Sequence, residues 1–218
     1  MAIFSSKVAV RVPIESIWDY TLGAEEQTRS QKPIIFDVDD PKTLRLSATD
    51  VAMHAHRFAK TLTEVGIQPE YRVLFIYPSS IYSASFFLAV AHLVGATFIP
   101  LSANITPSEL QVIFEHSKPA AIVSHPGRVD IGRALKVPGE LPSPSLLCLD
   151  TTTPLPRLYS LASENDSFER KPDPRIGTQT SRTANSPCVI LYTSGTSGTP
   201  KGWVYSEHTL LAGTVSLE

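Results

Sequence analysis

The sequence predicts an α/β fold of parallel-sheet layers joined by crossover helices. Between residues 43 and 124, short β-branched runs alternate with helix-like segments, and each helix-like segment carries its own start signal. Composition agrees: 218 residues with 42% apolar and 18% charged side chains describe an ordinary globular chain. A chain of this length buries enough surface to hold a core without disulfide or metal.

The elements are justified in order. Thr43 to Ser47 alternates as a short strand does, and Ser47 followed by Asp50 is the Ser-x-x-acid signature of a capped helix start. Val51, Ala55, Phe58, Leu62 and Val65 then form one continuous apolar stripe, and Gly66 supplies the stop. After a turn at Gln68-Pro69-Glu70, the run Arg72 to Tyr77 is too short and too β-branched for a helix and reads as a buried strand. A helix over Ser80 to Val94, apolar on nearly every side, ends at Gly95 before a strand at Thr97 to Pro100. Thr106-Pro107 opens a shorter helix to His116, and Ala120 to Ser124 is the next strand.

From residue 125 to 187 prolines recur, and only Ser145 to Asp150 looks like a strand, so this stretch reads as a proline-rich connection. Cys188 to Tyr192 is a short apolar strand leading into a glycine-rich segment, and Glu207 to Glu218 looks helical. The organisation expected over residues 1–218 is one partial domain. It comprises an α/β unit at 43–124, the connection at 125–187, and a strand, a loop and the start of a helix at 188–218. A chain that ends inside a helix with no closing strand reads as unfinished.

Charge and composition exclude several partners. A formal net charge of -2 with no Lys/Arg cluster removes the electrostatic reason for a nucleic-acid partner. The longest apolar stretch, Ile81 to Pro100, is broken by Ser83, Ser85, His92 and Gly95 and falls short of a transmembrane segment. The two cysteines, Cys148 and Cys188, sit inside apolar strands and suggest a reducing compartment. No secretion signal precedes Trp18, so a cytoplasmic location is the default, and Ser216-Leu217-Glu218 is not a peroxisomal signal.

The informative segment is YTSGTSGTPKG, Tyr192 to Gly202. Gly195 and Gly198 permit positive φ and a close backbone approach, so that successive N–H groups form an anion-binding nest. Ser194, Thr196, Ser197 and Thr199 offer hydroxyl donors, and Lys201 supplies a compact, mobile cation suited to charge on a leaving pyrophosphate. A Ser/Thr/Gly-rich stretch is ordinarily a plain surface turn; here the order and spacing favour polyphosphate. It is not a Walker A loop, because Gly195 and Gly198 are too close together and Gly202, not Ser or Thr, follows Lys201.

The segment resembles the signature phosphate loop of the adenylate-forming (AMP-dependent synthetase and ligase) superfamily, which includes acyl-CoA synthetases, coumarate-CoA ligase-like enzymes and peptide-synthetase adenylation domains. Ser197 for Thr is the only difference within the loop. LVGATFIPLSANITPSEL, Leu93 to Leu110, and the helix and turn from Ser47 to Pro69 resemble family segments in the same order. After that proline the family usually has Gly-Asp, where this chain has Glu70-Tyr71, and Glu207 stands where the family commonly places a histidine.

The resemblance implies an incomplete, amino-terminal portion of the adenylate-forming ligase fold. It implies that Thr193, Ser194, Gly195, Thr196, Ser197, Gly198 and Lys201 contact ATP, with Lys201 stabilising the phosphates and Mg2+ accompanying the nucleotide. The partners it implies for the complete enzyme are a carboxylic acid and the thiol of CoA or of a carrier protein. The family's adenine, ribose and Mg2+ segments and its mobile carboxy-terminal domain lie downstream of the phosphate loop, so this chain alone is expected to be inactive. The alternatives are a catalytically inactive truncated homologue acting as an interaction protein, or an unrelated phosphate-binding domain.

Elsewhere no metal site is expected. His54 and His56 point to nearly opposite helix faces, His92, His116 and His125 are isolated, and Asp37, Asp39 and Asp40 form an acidic turn beside Pro41.

Overall fold

A computed structural model describes residues 16–23, 31–37, 39–40, 42, 44–139, 141–153, 155–161, 183–193 and 200–215. A short helix α1 (Ile17–Leu22) opens the described chain, with Ser16 as its N-cap. Strands β1 (Pro33–Phe36) and β2 (Arg45–Ser47) pair antiparallel as a small separate sheet.

Ser47 ends β2 and caps α2 (Ala48–Glu64). Its hydroxyl accepts from the Asp50 N–H while its own N–H donates to the Asp50 carboxylate, which is the expected capping box. The predicted stripe is buried at Val51, Ala55, Phe58 and Leu62, and Gly66 takes the left-handed φ of 84° that ends the helix. Strand β3 (Arg72–Tyr77) falls where expected. The helix after it starts later than the sequence suggests: α3 (Ser83–Leu88) continues as a π-helical turn over Ala89–Val94 and stops at Gly95, φ 78°. Strand β4 (Thr97–Ser102), helix α4 (Pro107–Ser117, capped by Thr106 and Glu109) and strand β5 (Ala121–Ser124) complete the alternating unit.

The proline-rich stretch holds more than the one expected strand. A 3-10 turn (Pro126–Arg128) leads into α5 (Val129–Arg133), then β6 (Ser145–Asp150) and β7 (Arg157–Ser160). Next come β8 (Pro187–Thr193), β9 (Lys201–Ser206) and α6 (Glu207–Val215). Strand β9 stands between the loop and α6, where the sequence predicts that the loop leads directly into the helix.

The main sheet has seven strands in the order β7-β6-β5-β3-β4-β8-β9. The inner strands β6, β5, β3, β4 and β8 are parallel, and β7 and β9 pair antiparallel at the two ends. Both faces are covered, as parallel strands require. Val73, Phe75 and Tyr77 of β3 enter a large core with α1, α2, α3 and α6, while Leu74 and Ile76 enter a second core under α4 and α5. Among the described residues no helix is long and apolar enough to cross a membrane.

Candidate functional site

The β8–β9 hairpin positions the predicted loop. Its ladder runs from Pro187 and Ser206 to Tyr192 opposite Gly202 and Thr193 opposite Lys201. Because β8 is parallel to β4, the hairpin opens at the carboxyl ends of the parallel strands, where open α/β sheets bind ligands. Thr193 and Lys201, both exposed, are brought face to face at its mouth. Ser194, Gly195, Thr196, Ser197, Gly198 and Thr199, which connect them, lie outside the described residues.

Lys201 makes no ion pair with any described residue. A hydroxyl and a compact ammonium side by side at a strand end suit an anion that brings several oxygens, such as a polyphosphate. The neighbouring Gly202 sits in close packing. A Cβ there would lie 3.1 Å from both Ile190 Cγ2 and Tyr192 Cζ, so a larger residue requires the Tyr192 ring or Ile190 to shift by a few tenths of an ångström.

Tyr192 anchors the strand that enters the loop. Its hydroxyl is 2.6 Å from His116 Nδ1, and the two rings meet edge to face at 5.8 Å. Burial pushes the phenol pKa up, opposed by a hydrogen bond with Ser117 and by the Arg72 charge. Arg72 in turn donates to the Ser117 carbonyl at 2.8 Å, tying the ends of β3 and α4 together. Sequence reasoning took His116 as isolated. The available signal was Tyr192 itself, a phenol at a half-buried position that needs a polar partner.

Glu207 is a fastener: its Oε1 accepts the Ile17 N–H at 2.6 Å and lies 3.8 Å from His92 Nδ1. Trp18 stacks on His92 at 5.3 Å and meets His56 edge-on, so α1 is held against the π-helical turn and α6. His125 caps the 3-10 turn through Gly127 N–H and meets Tyr77 edge-on. Asp37 accepts from the N–H groups of Asp39 and Asp40, an ordinary acidic turn. Among the described residues no group of three or more His, Cys, Asp or Glu could hold a metal ion. A shallow depression lined in part by Glu70, Arg72 and Lys118 lies at the opposite, amino-terminal ends of the strands.

A model of the family described as AMP-binding enzyme matches residues 24–218. A hybrid PKS-NRPS synthetase of Trichoderma harzianum is 29% identical over 86% of this chain, which spans 4% of that protein. A dimodular nonribosomal peptide synthase of Bacillus subtilis is 27% identical over 89%, spanning 8% of it. A long-chain-fatty-acid–CoA ligase of Mycobacterium tuberculosis is 24% identical over 78%, spanning 32%. Among solved structures, apo MatB from Rhodopseudomonas palustris superposes with a TM-score of 0.67 at 20% identity, over 94% of this chain and 37% of that one. The ATP-bound form of that protein gives 0.60 at 24% identity, over 79% and 32%. The chain therefore spans a third or less of the curated relatives it matches.

Proposed function

The chain belongs to the family of AMP-binding enzymes, and on that premise we propose that it is the amino-terminal part of an ATP-dependent carboxylate-activating ligase. The observation that carries the reading is the hairpin mouth: Thr193 faces Lys201 at the carboxyl end of β8, on either side of a Ser/Thr/Gly segment suited to polyphosphate. The ATP held by one structural neighbour supports the same ligand here.

In the complete enzyme the acid's carboxylate oxygen attacks the ATP α-phosphorus, forming an acyl-adenylate as pyrophosphate leaves. A thiol of CoA or a carrier protein then attacks the acyl carbonyl and AMP departs. Within this chain, Thr193, Ser194, Gly195, Thr196, Ser197 and Gly198 hold the phosphates, and Lys201 offsets charge as the α–β bond breaks. Mg2+ bound with ATP would supply electrostatic stabilisation of the phosphate charge. No residue of this chain acts as nucleophile.

Two measurements test the reading. The 218-residue chain binds inorganic pyrophosphate, and Lys201→Ala weakens that binding about tenfold, the loss of one charge-assisted contact. The chain alone gives no ATP–pyrophosphate exchange, whereas a polypeptide that carries the rest of the fold does. Unchanged pyrophosphate affinity in Lys201→Ala removes the phosphate role and leaves an inactive homologue acting through interactions. Exchange by the 218-residue chain overturns its assignment as an inactive part.

A further inference from the structure

The ring of Tyr192 adjoins both flanks of the loop. Thr193 follows Tyr192 in β8, and across the hairpin Tyr192 is paired with Gly202, which follows Lys201. The ring lies against Gly202, since a Cβ built there would meet Tyr192 Cζ at 3.1 Å. Its placement therefore bears on where Thr193 and Lys201 stand. Strand β8 meets β4 in register at Val189 and Phe98, short of this end. At Tyr192 itself the body of the molecule makes contact through α4. The ring packs with the core that holds Leu110, Ile113 and Phe114 of that helix, and the hydroxyl meets His116 Nδ1 at 2.6 Å. A phenol and an imidazole can each donate or accept, so this bond forms with either ring tautomer. The helix end that presents His116 is braced. Arg72 donates to the Ser117 carbonyl at 2.8 Å, the Lys118 N–H donates to the Phe114 carbonyl at 2.8 Å, and Gln111 exchanges two hydrogen bonds with the backbone of Lys136. His116 is exposed, so a smaller side chain there leaves the core intact.

We propose that His116 is a positioning residue of the phosphate site: by holding the Tyr192 hydroxyl it fixes the ring against Gly202, and so sets Thr193 and Lys201 at the spacing in which both reach one polyphosphate. The inference rests on the ligase reading above and deepens it. His116 does not touch the ligand; it acts through Tyr192. A mouth already held in its binding arrangement loses little freedom when the anion arrives, whereas an untethered ring lets the two flanks spread over arrangements of which few bind. One hydrogen bond of this kind shifts such an equilibrium about fivefold.

The test is titration of the 218-residue chain with inorganic pyrophosphate, joined to backbone hydrogen exchange of the unliganded chain. His116→Ala and Tyr192→Phe each weaken pyrophosphate binding about fivefold, and the double variant loses no more than either alone. His116→Asn, whose amide places a polar atom where Nδ1 stands, brings the affinity back to within about twofold of the wild type. General loosening of the fold would not be repaired by that one atom. In a Lys201→Ala background the His116→Ala loss shrinks, because the cation to be positioned is gone. Without ligand, the amides at the Thr193 and Lys201 end of the hairpin exchange at least about threefold faster in His116→Ala and at the wild-type rate in His116→Asn, with β3 unchanged. Affinity unmoved by His116→Ala overturns the proposal, as does a loss that adds to that of Tyr192→Phe or that asparagine fails to repair. A wild type that binds no pyrophosphate but shows this exchange pattern sinks the polyphosphate reading and keeps the tie at the hairpin mouth. Pyrophosphate binding with both readouts indifferent to His116 sinks the tie and keeps the reading.

Discussion

At the residue scale two positions carry a cost that a substitution exposes. Glu70 has a φ of 68°, a left-handed conformation that ordinarily belongs to glycine, and its N–H donates to the Gly95 carbonyl at 3.0 Å. Left-handed geometry costs a non-glycine residue about 1–2 kcal/mol, and glycine's extra freedom in the unfolded chain returns about 0.5–1 of that. Glu70→Gly is expected to stabilise the protein by about 0.5–1 kcal/mol, raising the melting temperature by about 1–4 °C. A calorimetric melt that falls on this substitution would refute the account. His54 is the second position. It is 3% exposed, packed against Phe58 and Tyr82, and its Nδ1 has no hydrogen-bond partner among the described residues. Burial depresses its pKa, the Arg57 charge adds to this, and Asp50 opposes it. A depressed imidazole pKa means that the unfolded chain binds the proton more readily, so stability is full above about pH 6.5 and falls as acid is added. One proton limits the slope to about 1.4 kcal/mol per pH unit. His54→Phe, measured by urea denaturation between pH 7 and 5, should flatten that slope; an unchanged slope would assign it to other groups.

At the element scale, what was legible depended on whether the signal was local. The capping box of α2, the stripe over Val51 to Leu62, the Thr106-Pro107 start of α4, and the strands β3 and β6 were all readable because spacing within a few residues specifies them. The helix α1 carries the same signal, Ser16 accepting from the Asp19 N–H, but with only six residues it shows no periodic stripe. The strands β7 and β9 are not legible because neither carries a pattern of its own: β7 is four residues long, and β9 runs straight out of the glycine-rich segment without apolar–polar alternation. The site divided in the same way. Chemistry carried by the motif was readable, and so was the candidacy of Thr193 and Lys201, but the Tyr192–His116 bond links positions 76 apart. The cap of α2 is itself testable. The Asp50 carboxyl is raised by burial and lowered by hydrogen bonds from the Ser47 hydroxyl and N–H, aided by His54, and the lowering prevails. Its contribution is therefore present above about pH 3.9 and is lost as acid protonates it. Ser47→Ala should cost about 1 kcal/mol at neutral pH by urea denaturation. A smaller effect at pH 3 than at pH 7 would tie that loss to the charged form of Asp50.

At the scale of the whole molecule the seam between β4 and β8 joins the phosphate hairpin to the rest of the sheet. Strand β3 pairs with β4 from Arg72 opposite Thr97 to Tyr77 opposite Ser102, and with β5 over four positions. Between β4 and β8 the register contains the single pair Phe98 and Val189, supplemented by the Thr97 hydroxyl donating to the Pro187 carbonyl at 3.3 Å. The hairpin that carries the phosphate segment is held to the body across this pairing and by its side chains, with Cys188 and Val189 in the large core and Ile190 in the smaller one. Cooperative units in proteins divide where such cross-links are sparse, and binding loops are drawn from the less stable units. Native-state hydrogen exchange should therefore show the amides of β8 opening at least tenfold more readily than those of β3, through a local opening with a weak dependence on urea. Equal opening free energies would mean that side-chain packing alone fuses the seam. Added pyrophosphate should then slow exchange in β8 and leave β3 unchanged, because a ligand held between Thr193 and Lys201 stabilises only the forms in which the hairpin is closed. Slowing of both by the same factor would place the ligand's stabilisation on global unfolding, and the seam would then play no part in how the loop is presented.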